Sequence, residues 1–382
     1  MAPRRHFQRR GIVEGFYGPL WSMSHRAALF EFGARRGMNT YLYAPKDDPY
    51  HRVRWREPYP EPEWRGLVKL IRAAERFGIE FVYGFHPGKG LRFTAEEPVD
   101  CLLGKAGRFY DAGVRTFAIL FDDIPSRLAY AGDRRRFRKS LAKAEAVWVG
   151  RVLQRQPPSW RGVEWWLCPS YYSEDPLLAR VFGRFEPRFL ETLAASLPDP
   201  VACIWTGPSV VAKKISLAHA RMVARRLGRR LILWDNYPVN DLGMSAELHL
   251  GPLTGRDRRL PQVVYGYLNN PLLQEALGFL PLATCLDYAA DPLAYDPGKS
   301  WRRAVAERFG EDALPHWLAI RGFCDLPGRA ARKKSPPRPA PQRLGALRPA
   351  LEYVLRNSRE PWFAEFRPWL ELLEKSLTSR SD

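Results

Sequence analysis

Cysteine and histidine are scarce in this chain of 382 residues, with five of the first and seven of the second. Cys101, Cys168, Cys203, Cys285 and Cys324 are odd in number, scattered, and never spaced C-x-x-C. That pattern excludes a disulfide scaffold and a structural zinc site, and it fits reduced thiols in a cytoplasm. No His/Cys cluster has metal-ligand spacing, so no metal is expected, and no cofactor either. No stretch approaches the ~20 apolar residues of a membrane span. The N-terminal MAPRRHFQRR runs into GIVEGFYG without an apolar stretch, so no secretory signal is legible and a cytoplasmic location is expected. Disorder is excluded as well, because 46% of the residues are hydrophobic and 13% aromatic.

Acid is missing from two segments. Residues 1–10 carry four arginines and residues 329–349 seven basic groups, and together they hold eleven of the nineteen net positive charges. Much of the remainder is arginine on helix faces, such as Arg134-Arg135-Arg136 and the run from Arg225 to Arg230. Long basic side chains on solvated faces account for that excess, and binding to nucleic acid is not expected.

Eight short apolar or β-branched runs recur through the first three-quarters of the chain: 11–13, 40–43, 81–83, 116–121, 165–167, 201–205, 231–234 and 263–268. Their continuous hydrophobicity, without polar alternation, suits parallel strands buried on both faces. Amphipathic stretches long enough for helices lie between most of them, as at 24–36 (with a serine to cap it and Gly37 to stop it), 64–77 and 137–154. This is the arithmetic of a (β/α)8 barrel over residues 11–295, after a basic arm at 1–10. The rival is a doubly wound open sheet, which usually carries a Gly-rich phosphate turn after an early strand. Gly84-Phe85-His86-Pro87-Gly88 is no such turn. Residues 296–382 read as a helical appendage, with helices at 301–322 and 344–377 and a Pro-rich basic linker at 327–342.

In such a barrel the chemistry sits at the C-terminal ends of the strands. There the chain places Glu14-Gly15-Phe16-Tyr17, Lys46-Asp47-Asp48, Asp122-Asp123, Ser170-Tyr171-Tyr172, Thr206-Gly207, Asp235-Asn236, Asn240-Asp241 and Asn269-Asn270. Hydroxyls, amides and carboxyls with aromatics such as Trp205, Trp234 and Tyr237 suit a sugar, whose hydroxyls alternate with flat apolar faces. A phosphate site would want glycine nests or basic clusters, and only Lys46 answers. Two carboxyl pairs stand out, Asp47-Asp48 and Asp122-Asp123. Carboxyls sharing a pocket repel as anions, so one can keep its proton and serve as a general acid. Pattern alone does not choose between the pairs. His25 and His51 read as surface or packing residues.

The strings Val13-Glu-Gly-Phe-Tyr-Gly18, Asn39-Thr-Tyr-Leu-Tyr-Ala-Pro-Lys-Asp-Asp48, Phe121-Asp-Asp-Ile124, Trp205-Thr-Gly-Pro208 and Trp234-Asp-Asn236 strongly resemble glycoside hydrolase family 84, across roughly residues 10–290. That family comprises protein O-GlcNAcases and bacterial β-N-acetylglucosaminidases. The resemblance implies a retaining exo-β-N-acetylglucosaminidase in which the substrate's own acetamido oxygen attacks the anomeric carbon through an oxazoline, outside the scheme with an enzyme nucleophile. It implies that Asp122 holds the acetamido N–H and that Asp123 is the acid and then the base. Tyr172 would bond near the acetamido group, although this chain has Ser170-Tyr171 where the family usually has Thr-Glu. Gly15, Lys46, Asn236, Asp241 and Asn270 would meet polar groups of the sugar, and Tyr17 and Trp234 would wall the pocket. Asp47 and Asp48 then become structural. The partners implied are β-GlcNAc glycosides or proteins and peptides carrying O-linked GlcNAc. The alternatives are a hydrolase of GlcNAc oligosaccharides or glycosaminoglycan fragments, or a GlcNAc- or glycopeptide-binding module without turnover.

Overall fold

A computed structural model describes residues 5–88, 90–324 and 341–378 of the chain. The expected linker at 327–342 lies outside these residues except for its last two positions, which open the helix Pro341–Arg356. The eight strands are β1 (Arg9–Glu14), β2 (Thr40–Tyr43), β3 (Glu80–Phe85), β4 (Thr116–Leu120), β5 (Glu164–Cys168), β6 (Ala202–Trp205), β7 (Leu231–Asp235) and β8 (Val264–Asn269). Each pairs in parallel with the next, and β1 pairs with β8, Gly11 opposite Leu268, closing the barrel. Closure excludes the open sheet.

The strands are buried on both faces, which is why their sequences lack alternation. Inside the barrel Val13, Leu42, Val82, Leu120, Trp166, Ile204, Ile232 and Leu268 form one apolar cluster. Outside it Ile12, Tyr41, Phe81, Phe117, Leu167, Cys203 and Leu233 pack against the helices. Serines set several helix starts: the side chains of Ser22, Ser140 and Ser216 accept from the N–H groups of His25, Lys143 and His219. The helix expected at 137–154 therefore begins at Leu141, after Arg138 and Lys139 take left-handed backbone. The helix expected at 301–322 is two, Pro297–Phe309 and Leu314–Cys324, because Gly310 turns the chain at φ 88°. That expected at 344–377 is also two, Pro341–Arg356 and Pro361–Thr378.

These last four helices bury Trp301, Trp317, Trp362 and Phe366 against Leu248, Leu250, Leu277 and Leu280. They also hold the long loop between β7 and β8. Trp301 Nε1 donates to the Leu250 carbonyl at 2.6 Å and Trp369 Nε1 to that of Ala246 at 3.1 Å. Glu365 accepts from the N–H groups of Ala276 and Leu277 (2.9 Å each) at the start of the helix Glu275–Ala290, where a carboxylate also meets the positive end of the helix dipole.

Candidate active site

A cavity of about 340 Å³ opens at the C-terminal end of the barrel, and Gly15, Tyr17, Lys46, Asp122, Asp123, Tyr172, Trp234, Asn236, Asp241 and Asn270 all line it. They come from the ends of β1, β2, β4, β5, β7 and β8, the places a parallel barrel leaves open to a ligand.

The carboxyl pair follows β4. Successive side chains of a strand point to opposite faces, so two neighbouring residues reach one cavity only if the backbone turns between them. Asp123 takes φ 60° and supplies that turn. Aspartate is among the few non-glycine residues that visit this region, and such strain gathers where function holds it.

The two carboxyls live differently. Asp122 is buried, and its Oδ2 accepts from the Lys46 ammonium. Burial works to raise its pKa, and the charge and hydrogen bond of Lys46, with the charge of Arg52, outweigh that and hold it at about 2, so Asp122 is an anion. Its Oδ1 is buried with no protein partner. A buried acceptor left open is costly, and an N–H on a ligand satisfies it. Burial, with Lys46 nearby, keeps His86 neutral, down at about 4. Its Nε2 donates to the Asp122 carbonyl at 2.7 Å, which fixes the tautomer. Asp123 is half-buried between two phenols. Tyr17 donates to its Oδ2 at 2.6 Å and Tyr172 to its Oδ1 at 2.8 Å. Burial and the Asp123 charge raise the pKa of both tyrosines, which keeps them donors.

An amide ladder forms the opposite wall. Trp234 Nε1 and Asn270 Nδ2 each donate to Asn236 Oδ1 at 2.9 Å, and Asn270 Oδ1 accepts from Gly15 N–H at 3.3 Å. Asn236 Nδ2 donates to the Val210 carbonyl at 2.8 Å, so its amide is already engaged. Gly15 has to be glycine: a Cβ there would stand 2.1 Å from Cζ2 of Trp234. Asp241 Oδ2 accepts from Tyr17 N–H at 2.8 Å. Burial pushes the Asp241 carboxyl up, while that N–H and Lys46 pull it down.

Other polar residues of the strand ends face elsewhere. Glu14 is buried in an ion pair with Arg26 at 2.5 Å and accepts from Tyr41. Asp235 pairs with Arg256 at 2.6 Å. Asp48 accepts from the Tyr43 and Tyr59 hydroxyls at 2.7 Å each, and exposed Asp47 accepts from Gly18 N–H at 3.2 Å. His25 packs edge-on against Trp21. Among the described residues, no group of three His, Cys, Asp or Glu is placed to hold a metal ion, and no helix is long and apolar enough to cross a membrane.

The cavity also has a lining that the polar pattern missed. Leu177, Val181, Val211, Leu242 and Met244 surround its mouth, and the first four are exposed, Val181 at 61% and Leu242 at 66%. In sequence they are indistinguishable from core residues of short helices, and no composition signal marks them.

The site is an aromatic-walled pocket at the C-terminal end of a closed parallel barrel, with an open buried acceptor and a second carboxyl beside it. The sequence model of the beta-N-acetylglucosaminidase family matches residues 10–320, and the chain belongs to that family, glycoside hydrolase family 84. It is similar to the protein O-GlcNAcases of Mus musculus and Rattus norvegicus, 34% identical over 276 residues in each case, or 72% of this chain. It spans 29% of the length of those relatives. A solved O-GlcNAc hydrolase variant from Thermobaculum terrenum is 35% identical, with a TM-score of 0.86 over 96% of this chain and 82% of the other.

Proposed function

We propose that the protein is a retaining exo-β-N-acetylglucosaminidase that removes terminal β-GlcNAc by substrate-assisted catalysis. The observation that carries this reading is the open Oδ1 of anionic Asp122, buried and beside the Asp123 carboxyl. In the reaction the acetamido oxygen attacks the anomeric carbon while the bond to the aglycone oxygen breaks. Asp122 Oδ1 accepts the acetamido N–H, and its negative charge supports the positive charge that develops toward the oxazoline. Asp123 gives its proton to the departing oxygen and then takes one from the water that opens the ring. Tyr17 and Tyr172 hold the Asp123 carboxyl in place for both transfers. Lys46, Asp241, Asn270 and the Gly15 backbone meet the sugar's polar groups, while Trp234 covers a face. Asn236 works by holding Trp234 and Asn270.

For the aglycone we favour a protein or peptide carrying O-linked GlcNAc over an oligosaccharide. Exposed aliphatic side chains at the mouth suit apolar residues beside a glycosylated Ser or Thr, and a second sugar would call for polar groups or an aromatic platform. A reducing compartment is the proposed setting, since Cys168, Cys203 and Cys285 form no disulfide. The test is release of 4-nitrophenol from its β-GlcNAc glycoside, followed by comparison of an O-GlcNAc peptide with chitobiose. Turnover of the aryl glycoside with preference for the peptide is expected. Binding without turnover would make the chain a lectin-like module, and preference for chitobiose would move the aglycone to oligosaccharides.

A further inference from the structure

Lys105 lies outside the cavity, on the helix Glu97–Asp111, and is buried. Its Nζ donates to three backbone carbonyls: Tyr50 at 2.6 Å, Trp55 at 3.0 Å and Glu57 at 2.8 Å. An ammonium has three N–H donors, so this geometry uses them all. The three acceptors belong to one segment, the irregular loop between β2 and the helix Glu61–Arg76. Without Lys105 those carbonyls would lose a shared donor, and that of Trp55 would lose it in a buried place. Placing a cation here is costly. Burial pushes the amine down to about 7, Asp48 and Glu57 pull it up, and Arg108 adds to the lowering. The Tyr59 ring lies 4.7 Å from Nζ and recovers part of the cost.

The loop gathered in this way carries much of the support for the carboxyl pair. Lys46 at its start pairs with Asp122. Arg52 lies 4.9 Å over the ring of Tyr17, whose hydroxyl donates to Asp123. His51 Nδ1 donates to the Gly84 carbonyl at 2.9 Å and its ring meets His86 edge-on, and His86 in turn donates to the Asp122 backbone. The clamped carbonyls of Tyr50 and Trp55 straddle His51 and Arg52.

We propose that Lys105 is a positioning residue for catalysis: its ammonium fixes the loop that sets Lys46, His51 and Arg52 around the Asp122–Asp123 pair. The inference rests on the activity proposed above, but its first test needs no turnover. Hydrogen exchange of the full chain is measured in wild type, K105M and K105Q. Residues 46–57 should exchange at least about tenfold faster in K105M, with K105Q between, while β4 keeps its protection. Turnover of 4-nitrophenyl β-GlcNAc is then followed against pH. In K105M kcat should fall by roughly tenfold to a hundredfold, more than KM changes. The acid limb of kcat/KM should also move to higher pH, because Lys46 and Arg52 of this loop are the charges that oppose the burial of Asp122. A residue that served only the fold would scale the rate equally at every pH and loosen β4 together with the loop. That outcome, unchanged exchange over 46–57, or failure of both variants to fold would overturn the proposal. An inactive wild type would refute the proposed activity and leave the loop to be judged by exchange alone.

Discussion

At the N-terminal end of the barrel Arg9 of β1 reaches across to Glu80 of β3, to Glu164 of β5 at 2.8 Å and to the Tyr265 hydroxyl of β8 at 3.2 Å. Thr116 donates to Glu80, and Arg230 pairs with Glu164 at 3.0 Å. Each of these charges is answered by another strand. At the C-terminal end Lys46 answers one oxygen of Asp122 and leaves the other bare, and Asp123 has two phenols in place of a cation. The same residue types thus close the barrel at one end and prepare it for a ligand at the other. Polarity at a strand end says little about function until its partners are known.

That contrast breaks most visibly at Asp122. Asp122→Ala should cost on the order of 10²-fold or more in kcat/KM, since in the proposed mechanism every substrate passes through the oxazoline. A loss below about tenfold would mean the bare oxygen is not aimed at the reacting group.

Glu145 sharpens the contrast from beneath the site. It is fully buried, accepts only distantly from Ser170 N–H at 3.3 Å, and burial pushes its carboxyl up to about 8. The folded protein therefore keeps this proton at pH values where the unfolded chain has lost it. Stability from this group is present below the ordinary carboxylate range and falls as pH rises toward 8, by up to about 1.4 kcal/mol per pH unit. Glu145→Gln should flatten the decline of Tm between pH 5 and 8. Parallel curves for the two proteins would show that Glu145 is already ionised in the fold.

At the closed end, Arg9→Met should cost about 1–3 kcal/mol of stability by leaving two carboxylates without their shared donor. Thermal unfolding measures the loss, and turnover per folded molecule should stay at the wild-type value. A fall in kcat would make the two ends less separate than their bonding implies. The smallest effect is expected at the mouth. Val181→Asp should lower kcat/KM on an O-GlcNAc peptide with apolar flanks by roughly tenfold, within the range of lost apolar contact, and leave the aryl glycoside nearly unchanged. Equal effects on both substrates would place Val181 against the sugar.

The barrel was legible because burial on both faces writes eight continuous apolar runs, and their order in the chain is the order of pairing. Of the ten polar and aromatic residues expected in the cavity, seven stood in motif strings, and Tyr172, Asp241 and Asn270 stood among the polar residues after the strands. What could not be read was the direction each side chain faces. Glu14 and Asp235 sit at strand ends like the site residues, but Arg26 and Arg256 turn them into buried ion pairs, and nothing local in sequence announces those partners. Lys105 reads as one more basic residue on an amphipathic helix, since its acceptors are backbone atoms about fifty residues away. Leu177 and Leu242 read as core because hydrophobicity does not tell burial from a mouth.

The division of labour between the two carboxyls is tested most directly by leaving-group dependence. Turnover by Asp122→Ala and Asp123→Ala is compared on β-GlcNAc glycosides that range from an activated phenol to an alkyl alcohol. Asp123→Ala should lose little with the phenol and on the order of 10²-fold or more with the alcohol, because only the alcohol needs the proton. Asp122→Ala should lose by a similar factor throughout the series. A leaving-group slope on Asp122 with a flat line for Asp123 would reverse the roles, and wild-type rates in both variants would contradict the site.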